Sequence, residues 1–408
     1  MRPHHLAASL VLITFLSACG STAQTIASGN PNASKLIQEV WQIINRDYVD
    51  GTFNSQDWWQ VRKTYLAQAP NSTTATYQAV AEMVGSLKDP YTRFLRPKDY
   101  QQLQTQVSGE LSGVGLQIAL APETNELTVI APIEGSPAYR ADLKPRDIIL
   151  AIDGNPTKGM DLDVAAEKLR GAAGSKVTLM VRRETREFTV ALVRAKVEIN
   201  PVRSEVKTVA GVPLGYIRLP AFNGNATAEV KRAIQGLERK GVQGYVLDLR
   251  LNGGGLLGAG VDVAKLWLPA GKTIVATVTR KGVRDATRSS PLGPLTTKPL
   301  VLLVDNGTAS ASEILAGALQ DNKRAQLVGT RTFGKGLIQQ VYSLADGSGL
   351  AVSIAKYQTP AGRDIHKVGI EPDVKVELPA DFPAAALATA EDPQYLAATR
   401  ILTQVAKS

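Results

Sequence analysis

Apolar residues recur every three or four positions over residues 34–105, which predicts a helical N-terminal segment. The first helix carries Ile37, Val40 and Ile44 on one face, and two further helices follow before residue 90. The tryptophans of this segment are expected to pack in its core: Trp41, Trp58 and Trp59.

The pattern changes over residues 106–195, where short apolar runs alternate with turns. The runs at 113–118, 127–130, 147–152 and 176–181 have the length of strands. A single helical stretch between them carries Val164, Ala165 and Leu169. This region is therefore predicted to be a small β-rich domain.

Residues 196–378 alternate between buried-strand runs and amphipathic helices, which predicts an α/β domain. Strands are expected at 215–219, 244–249 and 300–304, and a helix at Thr227–Lys240. The remaining residues, 379–408, form an alanine-rich tail with a predicted helix from Asp392 to Val405. The fold class is accordingly α/β in the broad sense, an α+β arrangement of several domains.

The beginning of the chain has the pattern of an export signal. Met1-Arg2 precedes an apolar stretch from Leu6 to Leu16, which is too short to span a membrane. It ends in Leu-Ser-Ala-Cys19, which resembles a bacterial lipobox. We expect residues 1–19 to be a lipoprotein-type signal peptide with Cys19 lipidated, followed by a flexible tether over 20–33. The alternative is an ordinary signal cleaved after Ala18 or Ala23.

Ser310 is the candidate nucleophile, because it stands where a predicted strand ends and a helix begins. Leu300–Val304 precedes it, and apolar residues at helical spacing follow from Ile314. The first turn of a helix offers unpaired backbone N–H groups and a positive dipole end, which suit a developing oxyanion. Ser310-x-x-Glu313 also fits a capping box, in which the serine would only cap the helix.

A serine nucleophile needs a general base, and the composition limits the choice. The 408-residue chain has three histidines; His4 and His5 lie in the leader, and His366 is interpreted as structural. Lysine is the other known partner of serine. Lys335 lies between two glycines in a predicted turn, and Gln339 begins the alternating run after it.

Composition excludes several other classes of function. Cys19 is the only cysteine, so the mature body has no internal disulfide, thiolate zinc site or cysteine nucleophile. No metal and no cofactor are expected. The net charge of +9 is spread along the chain without a basic stripe interleaved with aromatics, which argues against nucleic-acid binding. A basic surface would favour an anionic membrane face.

Three features together resemble the carboxyl-terminal processing proteases. They are residues 306–314, a Gly-Lys-Gly motif whose lysine stands 25 residues after Ser310, and Gln339 four residues further on. The resemblance runs from about Leu36 to about Leu378, and Trp41–Leu66 resembles the cyanobacterial and chloroplast branch. It implies a PDZ domain over 106–195 and a crotonase- or Clp-like α/β catalytic core over 196–378.

The same resemblance implies a serine endopeptidase that cuts proteins near their C-termini, with protein or peptide substrates that have free C-termini. A substrate like the photosystem II D1 precursor is one implied example. The implied location is the periplasm or the thylakoid lumen, with a membrane anchor through Cys19. In the family the helical N-terminal segment often helps dimerisation, so a homodimer is a further expectation.

The resemblance assigns Ser310 as nucleophile, Lys335 as base and Gln339 as the residue that orients the lysine. The backbone N–H groups of Gly254 and Ala311 would form the oxyanion hole. The remaining assignments concern substrate binding in the PDZ domain: Gly113, Val114, Gly115, Leu116 and Arg170.

The PDZ assignments rest on a loop whose backbone N–H groups can capture a C-terminal carboxylate beside a strand edge. The alternatives are a glycine hairpin without a ligand and, for Arg170, a solvated cation at a helix end. Arg146-Asp147 stands where the family usually has Gly-Asp.

Two other functions compete with the protease. Gly253-x-Gly255-x-x-Gly258 matches the dinucleotide fingerprint after a strand and would indicate an oxidoreductase. The acidic residue expected about 20 residues later is missing from Thr273–Arg280. The second rival is a non-catalytic PDZ scaffold on a dead protease fold, against which the joint presence of Ser310, Lys335 and Gln339 argues.

Overall fold

The computed structural model describes residues 31–406 except residues 122, 134, 199–201, 283, 380, 381, 384 and 385. The predictions for the signal peptide, for Cys19 and for most of the tether fall outside the described residues. Among the described residues, no helix is both long enough and apolar enough to cross a membrane.

The N-terminal segment is helical, as its apolar periodicity predicted. Its elements, in chain order, are α1 (Pro31–Asp47), α2 (Trp58–Ala67), α3 (Thr73–Gly85), β1 (Arg93–Leu95) and α4 (Pro97–Ser108). The helices pack their apolar faces on a sheet of the core, because Leu344, Leu350 and Val352 belong to the same buried cluster as Ile37 and Val40. The segment therefore covers one side of the core and does not stand apart from it.

The β-rich domain is entered and left through a two-stranded antiparallel ribbon, in which Glu110 pairs with Glu198 and Gly113 with Ala195. Its main sheet has the order β3-β4-β5-β7-β8, so β3 is an edge strand. The elements are β2 (Glu110–Gly113), β3 (Leu116–Leu120), β4 (Leu127–Pro132), α5 (Pro137–Arg140), β5 (Ile148–Ile152), β6 (Asn155–Pro156), α6 (Leu162–Leu169), β7 (Lys176–Arg183), β8 (Arg186–Val193) and β9 (Ala195–Glu198).

The core contains a six-stranded sheet in the order β10-β11-β12-β15-β16-β19, parallel except for the pair β10·β11. Its strands and first helices are β10 (Arg203–Val209), β11 (Val212–Arg218), α7 (Ala226–Arg239), β12 (Gly244–Asp248), α8 (Leu257–Lys265), β15 (Leu300–Val304), α9 (Ala311–Asp321), β16 (Gln326–Gly329) and β19 (Val374–Lys375). Helices α7, α8 and α9 cover one face of this sheet.

The last helix, α10 (Pro393–Val405), covers the opposite face through Tyr395, Ala398 and Leu402. The predicted tail is thus part of the core. A second, antiparallel sheet has the order β1-β18-β13-β14, with β17 also paired to β18. Its remaining strands are β13 (Thr273–Thr279), β14 (Arg284–Arg288), β17 (Leu337–Ser343) and β18 (Gly349–Gln358).

Two local predictions from the sequence are wrong. Trp59 is 58% exposed, whereas Trp41 and Trp58 are buried; the Trp59 ring contacts that of Trp41 at a tilt of 55°, with ring centroids 4.6 Å apart. The predicted strand at 113–118 is interrupted, because β2 ends at Gly113 and β3 begins at Leu116. Gly115 has a φ of +73° there, and a Cβ on it would lie 2.3 Å from the Cβ of Ser136. Only glycine fits this turn.

Candidate active site

Ser310 stands between β15 and α9, as the sequence predicted, and serves as the N-cap residue of α9. Its backbone has φ +58° and ψ −117°, a conformation that L-residues rarely adopt. Such strain persists only when the surrounding structure enforces it, and it is common at catalytic residues. The side chain is half-buried at the carboxyl edge of the parallel sheet.

Glu313, one turn into α9, holds this conformation through a fully buried carboxylate. Its Oε2 accepts the backbone N–H of Ser310 at 2.9 Å and the backbone N–H of Lys335 at 2.9 Å. Its Oε1 accepts from Thr332 Oγ1 at 2.6 Å and from the N–H of Gly334 at 2.7 Å. The glutamate of the predicted capping box therefore also anchors the turn that carries Lys335. The backbone nitrogens of Ser310 and Lys335 both donate to Glu313 Oε2, so the two nitrogens lie no farther apart than twice the length of these hydrogen bonds.

Asn252 is a positioning residue that the sequence analysis missed. It is fully buried, its Nδ2 donates to Leu219 O at 2.6 Å, and its Oδ1 accepts the N–H of Gly254 at 2.9 Å. Its own carbonyl accepts the N–H of Ala309 at 3.0 Å and Ser312 Oγ at 2.9 Å. One asparagine thus ties the glycine loop to the serine turn. The only sequence signal was its place in the Asn-Gly-Gly-Gly run after a buried strand.

The glycine loop lies directly against Ser310. A Cβ on Gly254 would come within 2.8 Å of Ser310 Cβ and 3.0 Å of the nitrogen of Ala311. Gly254 and Ala311 are therefore side by side next to the serine. The N–H of Ala311 is the first of helix α9 and has no acceptor within the helix. The N–H of Gly254 donates to Asn252 in this conformation.

Lys335 is half-buried, and its Nζ donates to Gln339 Oε1 at 2.6 Å. Burial lowers the pKa of the Lys335 ammonium, and Arg93 lowers it further, while Asp89 and Glu313 act in the opposite direction. A lowered pKa increases the fraction of neutral amine, which is the form that accepts a proton. The sequence predicted the Lys335–Gln339 pair but not these neighbours.

Gln339 lies on β17 opposite a register shift in the pairing with β18. Bulges of this kind re-aim side chains beside functional sites. The Nε2 of Gln339 donates to the carbonyl of Tyr91, in the connection between α3 and β1. Lys335 Nζ lies 4.8 Å from the centroid of the Tyr91 ring. The N-terminal segment therefore contacts both residues of this pair.

Asp248 and Arg250 form a separate buried cluster at the end of β12. Two hydrogen bonds join their side chains, and Arg250 Nη1 also lies 2.8 Å from Asp392 Oδ2 at the start of α10. Tyr216 donates to Asp248 as well. Arg218 also pairs with Asp248 at 3.2 Å, so two arginines compensate two carboxylates, and the cluster fixes α10 to the strand that leads into the glycine loop.

The predicted peptide groove of the β-rich domain lies between the edge strand β3 and helix α6. A small cavity there, of about 70 Å³, is lined by Gly113, Val114, Gly115, Leu116 and Arg170 among others. The backbone of Arg170 bridges to that of Gly113. Arg146 adopts φ +73°, a left-handed conformation that glycine adopts without steric cost, and Asp147 beside it is held by Arg183. All five predicted substrate-binding residues are thus brought to one groove.

His366, interpreted from the sequence as structural, lies near Tyr91 with a ring-centroid distance of 6.4 Å. Burial lowers the pKa of its imidazole. Over the described residues, no group of three or more His, Cys, Asp or Glu side chains is arranged to hold a metal ion.

Comparisons with known proteins agree with this geometry. The profile of peptidase family S41 matches residues 213–376, and that of the PDZ domain matches residues 128–183. The carboxyl-terminal-processing protease of Synechocystis sp. is 49% identical over 374 residues, covering 90% of this chain and 86% of that relative. The chloroplastic carboxyl-terminal-processing peptidase 2 of Arabidopsis thaliana is 42% identical over 386 residues, covering 92% and 74%.

A solved structure named photosystem II D1 C-terminal processing protease is 41% identical, with a TM-score of 0.56 over 86% of this chain and 96% of that chain. The glycine run therefore does not indicate a dinucleotide-binding oxidoreductase. The chain belongs to the carboxyl-terminal-processing proteases of peptidase family S41, PDZ-containing serine endopeptidases that cut proteins near their C-termini, in the branch found in cyanobacteria and chloroplasts.

Proposed function

We propose that Ser310, Lys335 and Gln339 form the catalytic unit of this protease. The observation that carries the proposal is the single Glu313 carboxylate that binds the backbone of both Ser310 and Lys335. That bridge holds the serine turn and the lysine turn together although the two residues are far apart in the sequence. The bond from Lys335 Nζ to Gln339 then fixes the direction of the amine.

In the proposed reaction, neutral Lys335 accepts the proton of Ser310 Oγ as the oxygen attacks the scissile carbonyl carbon. The resulting ammonium donates that proton to the leaving amine when the peptide bond breaks and the acyl-enzyme forms. Lys335 then takes a proton from the water that attacks the acyl-enzyme. When the tetrahedral intermediate collapses and the ester bond to Ser310 Oγ breaks, the Lys335 ammonium returns that proton to Ser310 Oγ, and the new C-terminal carboxylic acid is released. Throughout the reaction, Gln339 Oε1 accepts one N–H of the Lys335 amine, so the lone pair of the neutral amine nitrogen points away from Gln339.

We propose that the negative oxygen of each tetrahedral intermediate is bound by the N–H of Ala311 and of Gly254. The unpaired first N–H of helix α9 and its positive dipole end support the role of Ala311. The N–H of Gly254 would have to turn from Asn252 Oδ1 or be shared with it. A bound aldehyde or boronate inhibitor tests this, because its oxygen should lie within about 3 Å of both nitrogens; an oxygen that points to solvent would contradict the assignment.

The central experiment compares digestion of an unstructured protein by wild type, Ser310→Ala, Lys335→Ala and the double variant. Each single variant should lose roughly three to six powers of ten in rate, and the double variant little more, because members of one unit are not additive. Ser312→Ala tests the neighbouring hydroxyl as the rival nucleophile; it removes the bond from Ser312 Oγ to Asn252 O and should lower the rate far less than Ser310→Ala does. If Ser310→Ala keeps wild-type turnover, the protein uses another nucleophile; if wild type itself shows no turnover, the protein is a scaffold.

The PDZ groove is proposed to bind the free C-terminus of a substrate. A D1-precursor-like protein is the proposed substrate class, supported by the name of the similar solved structure. A synthetic peptide with a C-terminal extension of that precursor should be cut at one bond. Digestion of unrelated unstructured proteins at an equal rate would contradict the substrate proposal and leave the catalytic one intact.

We also propose export to the periplasm or thylakoid lumen, with Cys19 lipidated. The support is the Leu-Ser-Ala-Cys run after the apolar leader. A Cys19→Ser variant should stay unprocessed or leave the membrane fraction. An unchanged mature mass together with unchanged fractionation would exclude lipidation.

A homodimer through the helical N-terminal segment is the last proposal. The exposed ring of Trp59 on α2 supports it, because a large aromatic side chain at a surface is typical of an interface. Light scattering on the wild type should give twice the mass of a single chain, and the Trp59→Arg variant should give the mass of a single chain. A monomeric wild type at micromolar concentration would contradict this proposal.

A further inference from the structure

The turn that carries Tyr91 is unusually well fixed for a connection between a helix and a strand. Asp89 accepts the N–H of Tyr91 at 3.0 Å and the hydroxyl of Thr92 at 2.7 Å. The buried hydroxyl of Thr92 in turn accepts the N–H of Ser353 on β18 at 3.0 Å. The following strand β1 pairs with β18. These bonds hold Tyr91 against the sheet that contains Gln339.

The carbonyl of Tyr91 decides which way the amide of Gln339 faces. A backbone carbonyl can only accept a hydrogen bond, so the NH₂ group of Gln339 must point toward it. The oxygen of the same amide is thereby directed to Lys335 Nζ, where it accepts at 2.6 Å. Without this contact, the amide could rotate by half a turn and present a donor to the lysine.

The ring of Tyr91 covers the amine of Lys335. With Nζ 4.8 Å from the ring centroid, the ring face attracts the ammonium form, and the ring also displaces water from it. The attraction for the ammonium raises the pKa of Lys335, whereas the exclusion of water lowers it. The charged groups that act on Lys335 from the surrounding elements are Arg93, Asp89 and Glu313, and the ring of His366 lies 6.4 Å from that of Tyr91.

We propose that Tyr91 of the N-terminal segment is a positioning residue for the catalytic base. Its carbonyl orients Gln339 and its ring sets the protonation of Lys335. The α/β core supplies Ser310, Lys335 and Gln339, and the helical N-terminal segment supplies Tyr91. The segment is therefore required for catalysis. This inference rests on the proposed function of Lys335 as general base.

Three substitutions separate the effects of the ring. In Tyr91→Phe the ring remains, so the behaviour of Lys335 should stay that of wild type. In Tyr91→Leu an apolar group still excludes water but the attraction for the ammonium is lost, so the pKa of Lys335 should fall by about half to one unit. In Tyr91→Ala water reaches the amine, so its pKa should rise. A residue with a merely structural role would not give opposite shifts.

Two measurements are made on each variant of the full chain. The first is the rate at which acetic anhydride modifies Lys335 as a function of pH, followed by mass spectrometry in a Ser310→Ala background. The second is the pH profile of kcat/KM on an unstructured protein with Ser310 intact. Tyr77→Leu is the matched control, because the Tyr77 ring packs on Phe94 of the same segment, whereas the Lys335 amine lies over the ring of Tyr91.

Opposite shifts of the Lys335 modification profile in Tyr91→Leu and Tyr91→Ala support the inference. If the pH profile of kcat/KM shifts in parallel, Lys335 is also the base. A shift in modification alone would refute the base assignment; Tyr91 would then set the protonation of Lys335 without a part in catalysis. An unchanged modification profile in both variants, or shifts of the same size in Tyr77→Leu, would overturn the inference.

Discussion

The catalytic centre and the PDZ groove are built in different ways. Around Ser310, fully buried polar side chains such as Glu313 and Asn252 join segments that are far apart in the sequence. Around the PDZ groove, the edge strand β3 is only partly buried, and its shape depends on backbone pairing within one small sheet. The two regions meet different physical requirements.

Acyl transfer needs a nucleophile, a base and an oxyanion site within fractions of an ångström of their working positions. Buried, fully satisfied hydrogen-bond networks provide such rigidity. A groove that adds a peptide strand to a sheet edge needs only exposed backbone groups in the correct register. Substitutions in the first region should therefore lower kcat, and substitutions in the second should mainly raise KM.

The largest effect is expected from Lys335→Arg, which keeps the positive charge and nearly the length of the side chain. Guanidinium does not lose its proton near neutral pH, so the variant should be inactive at every pH tested. In wild type, activity should rise with pH through the pKa of Lys335, which burial holds below the ordinary lysine value. The measurement is kcat/KM from pH 5 to 10 for both proteins.

A flat wild-type profile over that range would contradict a lysine base. Measurable turnover by Lys335→Arg would contradict it as well. Lys356→Arg is the matched control, because Lys356 is exposed on β18 and pairs with Leu337 at the start of β17. It should keep the wild-type profile.

The sequence indicated the proposed catalytic residues but not the residues that hold them in place. Ser310 lies on a strand-to-helix junction, Lys335 in a glycine turn and Gln339 on the strand β17 that follows, and local pattern reveals such positions. Asn252 and Tyr91 gave no comparable signal, because their roles depend on contacts with residues such as Leu219 and Gln339 that are distant in the chain. Such contacts exist only after the sheets and the N-terminal segment have assembled.

The helix-period pattern predicted that the N-terminal segment is helical but misplaced Trp59. Periodicity identifies an apolar face but not its edges, and Trp59 lies where that face meets solvent. The interruption of the predicted strand at 113–118 was missed because it depends on a residue outside that stretch. The turn at Gly115 is required by the close approach of Ser136, which the sequence of that stretch does not contain.

Asn252→Ala should give the second largest effect. It leaves the N–H of Gly254 and the carbonyl of Leu219 without their buried partner, at a cost of about 1–3 kcal/mol for each group. Because the glycine loop lies against Ser310, we expect kcat to fall by roughly 10- to 100-fold with little change in KM. Urea unfolding and steady-state kinetics measure the two consequences.

Asn322→Ala is the matched control for this prediction. Its Nδ2 also donates to two backbone carbonyls, those of Thr273 and Ala318, but at the far end of α9. It should lower stability without lowering kcat. A similar loss of kcat in both variants would mean that the catalytic centre responds to general destabilisation and is not held specifically by Asn252.

Changes at the PDZ groove should have the smallest effect on kcat. They test most directly the difference between the groove and the catalytic centre. The turn at Gly113–Leu116, which leads into the edge strand β3, and Arg170 line the same cavity. A captured carboxylate forms charge-assisted hydrogen bonds, which are roughly twice as strong as neutral ones. Two peptides of the same sequence, one ending in a carboxylate and one in an amide, separate this contribution. The amide should show a KM about 10-fold higher with nearly unchanged kcat.

Arg170→Ala should narrow the gap between the two peptides by raising the KM of the carboxylate peptide alone. Arg186→Ala, at an exposed position on β8 of the same domain, is the matched control and should leave the gap unchanged. Because the groove acts before the chemical step, neither substitution should move the pH profile that Lys335 sets. Equal KM values for both peptides would show that the groove does not bind the terminus. An equal fall in kcat for both peptides would instead mean that the groove is part of the catalytic geometry, and the distinction between the two regions would be lost.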